Sequence, residues 1–152
     1  MKISYLNGDF LAGPETYVLH GCNALGKMES GAAKSLRAKY PKAYDDYLTH
    51  RHDRGLRLGE VIVSEQNGVV IFNCITQQDY GRDESIQYVN YFALRNCIKT
   101  VDIYMGAVGI FCSGVPVAMP KIGCGLGNGD WGIVGKIIEE ESNHFLPFVY
   151  IQ

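Results

Sequence analysis

The sequence predicts an α/β protein of three layers, with helices on both faces of a central mixed, mostly parallel sheet. Three observations predict it. Segments of strand character alternate along the chain with segments of helical spacing, the pattern of a sheet sandwiched between helices. Two glycine-rich loops, residues 20–31 and 120–131, each follow a strand and open a helix. Neither an internal repeat nor a linker interrupts the 152 residues, which suit one domain, 1–152.

Taken in order, residues 2–6 alternate and form a first strand, ended by the turn former Asn7-Gly8-Asp9. Residues 17–20 form a second strand that runs into the first glycine loop. Residues 32–40 carry helix formers, with Ala32, Leu36 and Tyr40 four apart on one face. Pro41 interrupts this helix and starts another over 42–50, where its missing N–H costs nothing. The charged stretch 51–58 is a surface connection. Strands at 60–64 and 69–75 flank Gln66-Asn67-Gly68, a hairpin turn signal. The second of these strands is apolar nearly throughout, as befits burial on both faces. Residues 77–83 are polar and form a loop. Ser85 caps the next helix, whose face is Ile86, Val89, Ala93 and Cys97. Short strands at 108–112 and 115–119, a helix at 131–141 and a strand at 148–151 complete the expectation.

Composition narrows the function. A net charge of −2 lacks the basic footprint of a duplex-DNA binder, and there is no strong case for nucleic acid. A phosphate-bearing ligand remains compatible, provided backbone amides rather than many cations hold it. The five cysteines include no CxxC pair and follow no secretory leader, so they read as reduced thiols of a cytoplasmic protein. No apolar run reaches the ~18–20 residues of a membrane span. The motif GxxxxGK[ST] is absent, and Gly123-x-Gly125 meets Asn128 where a dinucleotide fingerprint has its third glycine. No Cys is followed six positions later by Arg, as a cysteine-phosphatase loop requires. His50, His52 and Asp53 read as a charged helix end, so neither a metal nor a cofactor is expected.

The two loops carry the chemistry. Glycines let a backbone approach a ligand closely, and a helix start supplies unpaired N–H donors. Two such loops after strands of one sheet make a cradle for a diphosphate, outside the strand carboxyl ends. The plain alternative is a pair of tight strand-to-helix turns.

At these loops the sequence resembles a family. Asn7-Gly8-Asp9-Phe10, the 20–31 segment, Tyr40-Pro41-Lys42-Ala43 and the 120–131 segment look like macrodomains. The nearest branch is the ADP-ribose 1''-phosphate phosphatase-like one, related to the terminal ADP-ribose protein glycohydrolase-like macrodomains. The resemblance covers essentially the whole chain. It implies a three-layer α/β/α fold that binds ADP-ribose or a derivative as a monomer, with ADP-ribosylated macromolecules as a wider partner class.

Residue by residue, the resemblance matches Asp9 to the carboxylate that accepts from the adenine amino group, with Gly8 and Phe10 beside it. Asn23 matches the asparagine facing the distal ribose. Gly123, Cys124, Gly125, Leu126 and Gly127 match the phosphate-holding loop. The implied ligand-binding set extends to Gly21, Lys27, Met28, Ser30, Gly31 and Ala32 around the first loop, to Gln77, and to Ile122, Asn128 and Trp131 around the second. As plain alternatives, Asp9 is a turn residue, Asn23 bonds its own loop and Trp131 packs in the core.

Two residues are candidates for catalysis. His20 matches the histidine before the first loop in the phosphatase-like branch, suited to protonating a leaving group or activating water. A buried strand-end histidine is the other reading. Asp130, at the last helix's start, is either a base or an N-cap. The lysine nucleophile of the glycohydrolase-like branch, in the loop corresponding to Thr76-Gln77-Gln78, is missing here. So is that branch's aspartate, where Gly127 stands. Glu29 occupies a position usually glycine, and three roles are open to it: repelling the ligand's phosphates, acting as a base, or pointing into solvent.

The expected function is hydrolysis at the distal ribose of ADP-ribose, of a 1''-phosphate or of an ADP-ribosyl or O-acetyl ester. The alternative is a non-catalytic ADP-ribose reader. Unaided phosphate monoesters hydrolyse so slowly that enzymes reach accelerations up to ~10²¹ on them, so a slow hydrolase fits a site without obvious acids better than a fast one.

Overall fold

The computed structural model describes residues 1–152. Strands β1 (Ser4–Asn7) and β2 (Tyr17–Asn23) precede helices α1 (Gly31–Lys39) and α2 (Pro41–Arg54). The hairpin β3 (Val61–Gln66) and β4 (Val69–Gln77) follows, then α3 (Tyr91–Val108), β5 (Pro116–Met119), α4 (Trp131–Glu141) and β6 (Leu146–Ile151). One six-stranded sheet forms in the order β1-β6-β5-β2-β4-β3. Every neighbouring pair is parallel except β3 with β4. Helices α1 and α2 cover one face and α3 and α4 the other, as the alternation of elements predicts.

Local chemistry accounts for most boundaries. Asn67 and Gly68 both take positive φ, 53° and 77°, the conformation of a two-residue hairpin that pairs Gln66 with Val69. The apolar β4 is buried along nearly its whole length, whereas the edge strand β3 alternates, with Ile62 and Ser64 inward and Val63 and Glu65 outward. Pro41 opens α2 after the Tyr40 N–H has closed α1 on the Leu36 carbonyl. The larger core lies under α3 and α4, around Phe72, Leu94, Ile98, Met105, Val117, Val134 and Val149. Two smaller cores lie under α1 and α2.

The structure corrects three expectations, the first being that residues 51–54 of the expected surface connection are the last turn of α2. Helix α3 starts at Tyr91, not near Ser85, because Asn90 is its cap, with Oδ1 accepting from the Ala93 N–H at 3.0 Å. Ser85 instead bonds the Asp83 carboxylate through its N–H and its hydroxyl, and Ile86 is exposed. Residues 108–112 are no strand. They are the end of α3 and a turn in which the Cys112 N–H returns to the Val108 carbonyl. Ile110 and Phe111 are 78% and 93% exposed, so their apolar run reflects no burial.

Candidate functional site

Parallel pairing aligns the carboxyl ends of β1, β6, β5, β2 and β4 along one rim of the sheet. At about 4.8 Å per neighbour, the four spacings from β1 to β4 make the rim about 19 Å long. A cavity of about 410 Å³ opens on it, walled by the two glycine loops and closed at the β4 end by residues 76–81. That volume is ordinary for a small-molecule site.

The first loop begins later than its glycine suggests, because β2 runs through His20 to Asn23. It then turns around the Asn23 side chain. Oδ1 accepts from the Leu25 and Lys27 N–H groups at 3.0 and 3.2 Å and from the Tyr47 hydroxyl at 3.0 Å. Nδ2 donates to the Lys27 carbonyl at 2.8 Å. Asn23 therefore shapes its own loop, as an Asx turn does, and one N–H of its amide is left without a partner as it lines the cavity. At the loop's end Ser30 makes no side-chain cap, so the first N–H groups of α1 stay unpaired where Gly31, Ala32 and Ala33 meet the cavity.

The second loop is a tight curl. The Gly129 N–H donates to the Gly123 carbonyl at 2.8 Å, and the Asn128 N–H to that of Gly125 at 3.1 Å. The curl requires glycine: a Cβ on Gly127 would sit 2.6 Å from the Gly123 oxygen. The aspartate found here in the glycohydrolase-like branch is therefore sterically excluded by this backbone, not merely absent. The N–H groups of Gly125, Leu126 and Gly127 have no partner within the protein, and all three residues line the cavity. Since β2 and β5 are neighbours, two arrays of unpaired donors face one space, and such arrays bind anions.

Of the residues expected from the sequence, Gly21, Asn23, Lys27, Ser30, Gly31 and Ala32 line this cavity, as does Gln77. So do Ile122, Gly123, Cys124, Gly125, Leu126 and Gly127 of the second loop. Gly8 and Asp9 lie outside it, at the β1 end of the same rim, where the Gly8 N–H bonds the Ile151 carbonyl and Asp9 Oδ1 accepts from the Leu11 N–H at 2.9 Å. Two expected contacts are core residues. Met28 is fully buried against Cys22, Tyr47, Ile62 and Ile75, and Phe10 packs with Leu11, Val18 and Leu36. Asn128 turns its amide away from the cavity, donating to the Asp83 and Ile86 carbonyls. Trp131 packs edge-on against Tyr5, its Nε1 donating to the Tyr5 hydroxyl at 3.0 Å.

The two catalytic candidates also lie outside the cavity lining. His20 is wholly buried, its Nε2 2.6 Å from Asn73 Oδ1, and Asn73 Nδ2 donates to the Ile62 carbonyl at 2.9 Å. Burial lowers the His20 pKa to about 4, against a smaller upward pull from Asn73, so its ring is neutral at physiological pH. Asp130 caps α4, its Oδ1 accepting from the Gly132 N–H at 2.7 Å. In both cases the plain alternative matches the geometry.

The acidic and basic side chains that line the cavity are Lys27, Lys121 and Glu29, so Glu29 is the only carboxyl group there. Lys121 Nζ lies 5.6 Å from the Trp131 ring centre. The thiols are poor nucleophiles. Burial pushes Cys124 up to about 11 despite Lys121, and Cys22 well above its ordinary value. Sequence reasoning missed Thr76, Tyr80, Gly81 and Lys121. Thr76 is wholly buried and its hydroxyl has no partner. Lys121 stood within the second loop, where its position between Pro120 and the glycines was the available signal. Tyr80 and Gly81 carried none, since contacts distant in sequence bring them to the cavity.

The model of the Macro domain family matches residues 19–138. An ADP-ribose 1''-phosphate phosphatase of Candida albicans is 28% identical over 157 residues, 97% of this chain and 99% of that protein. The ADP-ribose glycohydrolase OARD1 of Bos taurus is 28% identical over 140 residues, 91% of this chain and 83% of its own. Among solved structures, Thermosipho africanus DarTG in complex with ADP-ribose superposes with a TM-score of 0.81 at 17% identity, covering 99% of this chain and 42% of that one. With a family match over residues 19–138 and an α/β fold that superposes on that of a solved relative, this chain belongs to the macrodomain family.

Proposed function

We propose that the cleft binds ADP-ribose along the sheet rim and that the protein hydrolyses a substituent on the distal ribose, a 1''-phosphate or an ester. The observation that carries this reading is the pair of unpaired N–H arrays on neighbouring loops, at the middle of a rim about 19 Å long. A diphosphate in that cradle leaves room on both sides. Asp9, at the β1 end, offers a carboxylate to an adenine amino group. The β4 end, with Thr76, Gln77 and Tyr80, receives the distal ribose. The names of the Candida albicans and Bos taurus relatives support the ligand class and hydrolysis, and the ADP-ribose bound to the Thermosipho africanus protein supports the ligand.

Within the cleft Glu29 is the carboxylate able to take a proton from the attacking water, and Lys27 and Lys121 offset the charge of a phosphorylated ligand. Backbone donors do most of the binding, in keeping with the chain's slight acidity. A reader that binds without turnover is favoured by one observation: His20 and Asp130 are both committed elsewhere. Incubating the protein with ADP-ribose 1''-phosphate and with ADP-ribosylated protein separates the two, beside Glu29→Gln and His20→Ala controls. Product release lost in Glu29→Gln and kept in His20→Ala supports the hydrolase. Binding without product from either substrate leaves the reader.

A further inference from the structure

Between β4 and α3, residues 78–90 run without helix or strand, apart from a single bridge of Gln77 to Val89. An irregular segment this long inside a compact fold calls for a function. It is also tied down, and to an unexpected partner. Asn128 Nδ2 donates to the Asp83 and Ile86 carbonyls at 3.0 and 2.7 Å. The Gly127 carbonyl accepts from both the Tyr88 and Val89 N–H groups, at 2.9 and 3.1 Å. Val89 fills the space beside Gly123, where a Cβ would lie 2.6 Å from its methyl carbon. The segment is thus a strap fastened to the anion-binding curl of the second loop. Asn128 can serve as the fastener because it adopts φ of 58°, which asparagine tolerates better than most residues.

The strap's near end delivers Tyr80 and Gly81 to the cavity wall. Tyr80 is 45% exposed and its hydroxyl makes no hydrogen bond, so nothing in the protein accounts for an aromatic ring at that place. Its position on the rim has a meaning. Tyr80 follows β4, whose end lies four strand spacings, about 19 Å, from the end of β1 that leads to Asp9. A ligand laid along the rim with its base at Asp9 presents the opposite end to Tyr80.

We infer that the 78–90 strap is the specificity element for the distal end of the ligand. Tyr80 packs on the distal ribose or its substituent, and Asn128 is the positioning residue that holds the strap in place. This rests on the ADP-ribose reading above. It assigns Asn128 a role through Tyr80 and not through direct contact with ligand.

Calorimetric titration with two ligands tests it, ADP-ribose and ADP, which lacks the distal ribose. Tyr80→Ala is expected to weaken ADP-ribose about tenfold and leave ADP unchanged, and Tyr80→Phe to bind both as wild type does. Asn128→Gly keeps the backbone conformation and removes the donors. It is expected to weaken ADP-ribose selectively, and the double variant to be no weaker than the weaker single one. Equal weakening of ADP and ADP-ribose by Tyr80→Ala, or no weakening of either, overturns the strap's role. Full additivity of the two substitutions overturns the positioning role of Asn128. A wild-type protein that binds neither ligand overturns the ADP-ribose reading itself, whereas normal binding by every variant overturns the strap alone.

Discussion

Histidine 20 offers a test in which stability and mechanism make opposite demands. Its ring is wholly buried and, at a pKa of about 4, neutral in the folded state, against an ordinary value of 6.5. The unfolded chain therefore takes up a proton below pH 6.5 that the folded chain refuses until about pH 4. Since the unfolded state binds more protons in that window, stability rises with pH. The His20 contribution is fully present above pH 6.5 and is lost as pH falls toward 4. A difference of about 2.5 pH units at about 1.36 kcal/mol each amounts to about 3 kcal/mol, a large part of a typical domain's stability. His20→Gln keeps a donor for Asn73 and removes the titration. Urea unfolding of both proteins at steps from pH 7.5 to 4 is expected to show the wild-type advantage, whatever its size at neutral pH, shrinking by about 3 kcal/mol. A difference constant with pH would refute the burial argument. So would a limb in the turnover profile near pH 6.5 that vanishes in the variant, because a histidine in contact with substrate must exchange protons freely.

Three further predictions concern the cleft. Gly125→Val is expected to stay folded by circular dichroism and to lose ADP-ribose binding, because its Cβ direction is open and its side chain enters the cavity; normal calorimetric binding would remove the second loop as the phosphate site. Asp9→Ala is expected to weaken ADP-ribose about 10- to 100-fold, the worth of a charge-assisted hydrogen bond, and unchanged affinity would place the adenine elsewhere. Glu29→Gln is expected to slow turnover of the hydrolysed substrate by about 10²–10⁴ while ADP-ribose binds as well or better, since one negative charge leaves the cradle; turnover kept together with tighter binding would make Glu29 a source of repulsion and not a base.

Much of this was legible along the chain because it depends on neighbours in sequence. The Asn67-Gly68 hairpin, the Pro41 break between α1 and α2, the buried β4 and the two strand–glycine–helix loops all follow from local conformational preference and apolar spacing. These are short-range properties, so the layers and the two loops at the rim could be read from the sequence, while thirteen of the cavity's lining residues followed from the resemblance to macrodomains. What the side chains at that rim do depends on packing between distant segments. His20 became a core residue because Asn73, a strand away, satisfies it, and Met28 because α2 and β4 close over it. Asn128 became a fastener because residues 83–86 present two carbonyls to it. The helix expected from Ser85 yielded to the strap for the same reason, and with the strap came Tyr80. A side chain's partner depends on packing between segments distant along the chain, and spacing in sequence does not encode that distance.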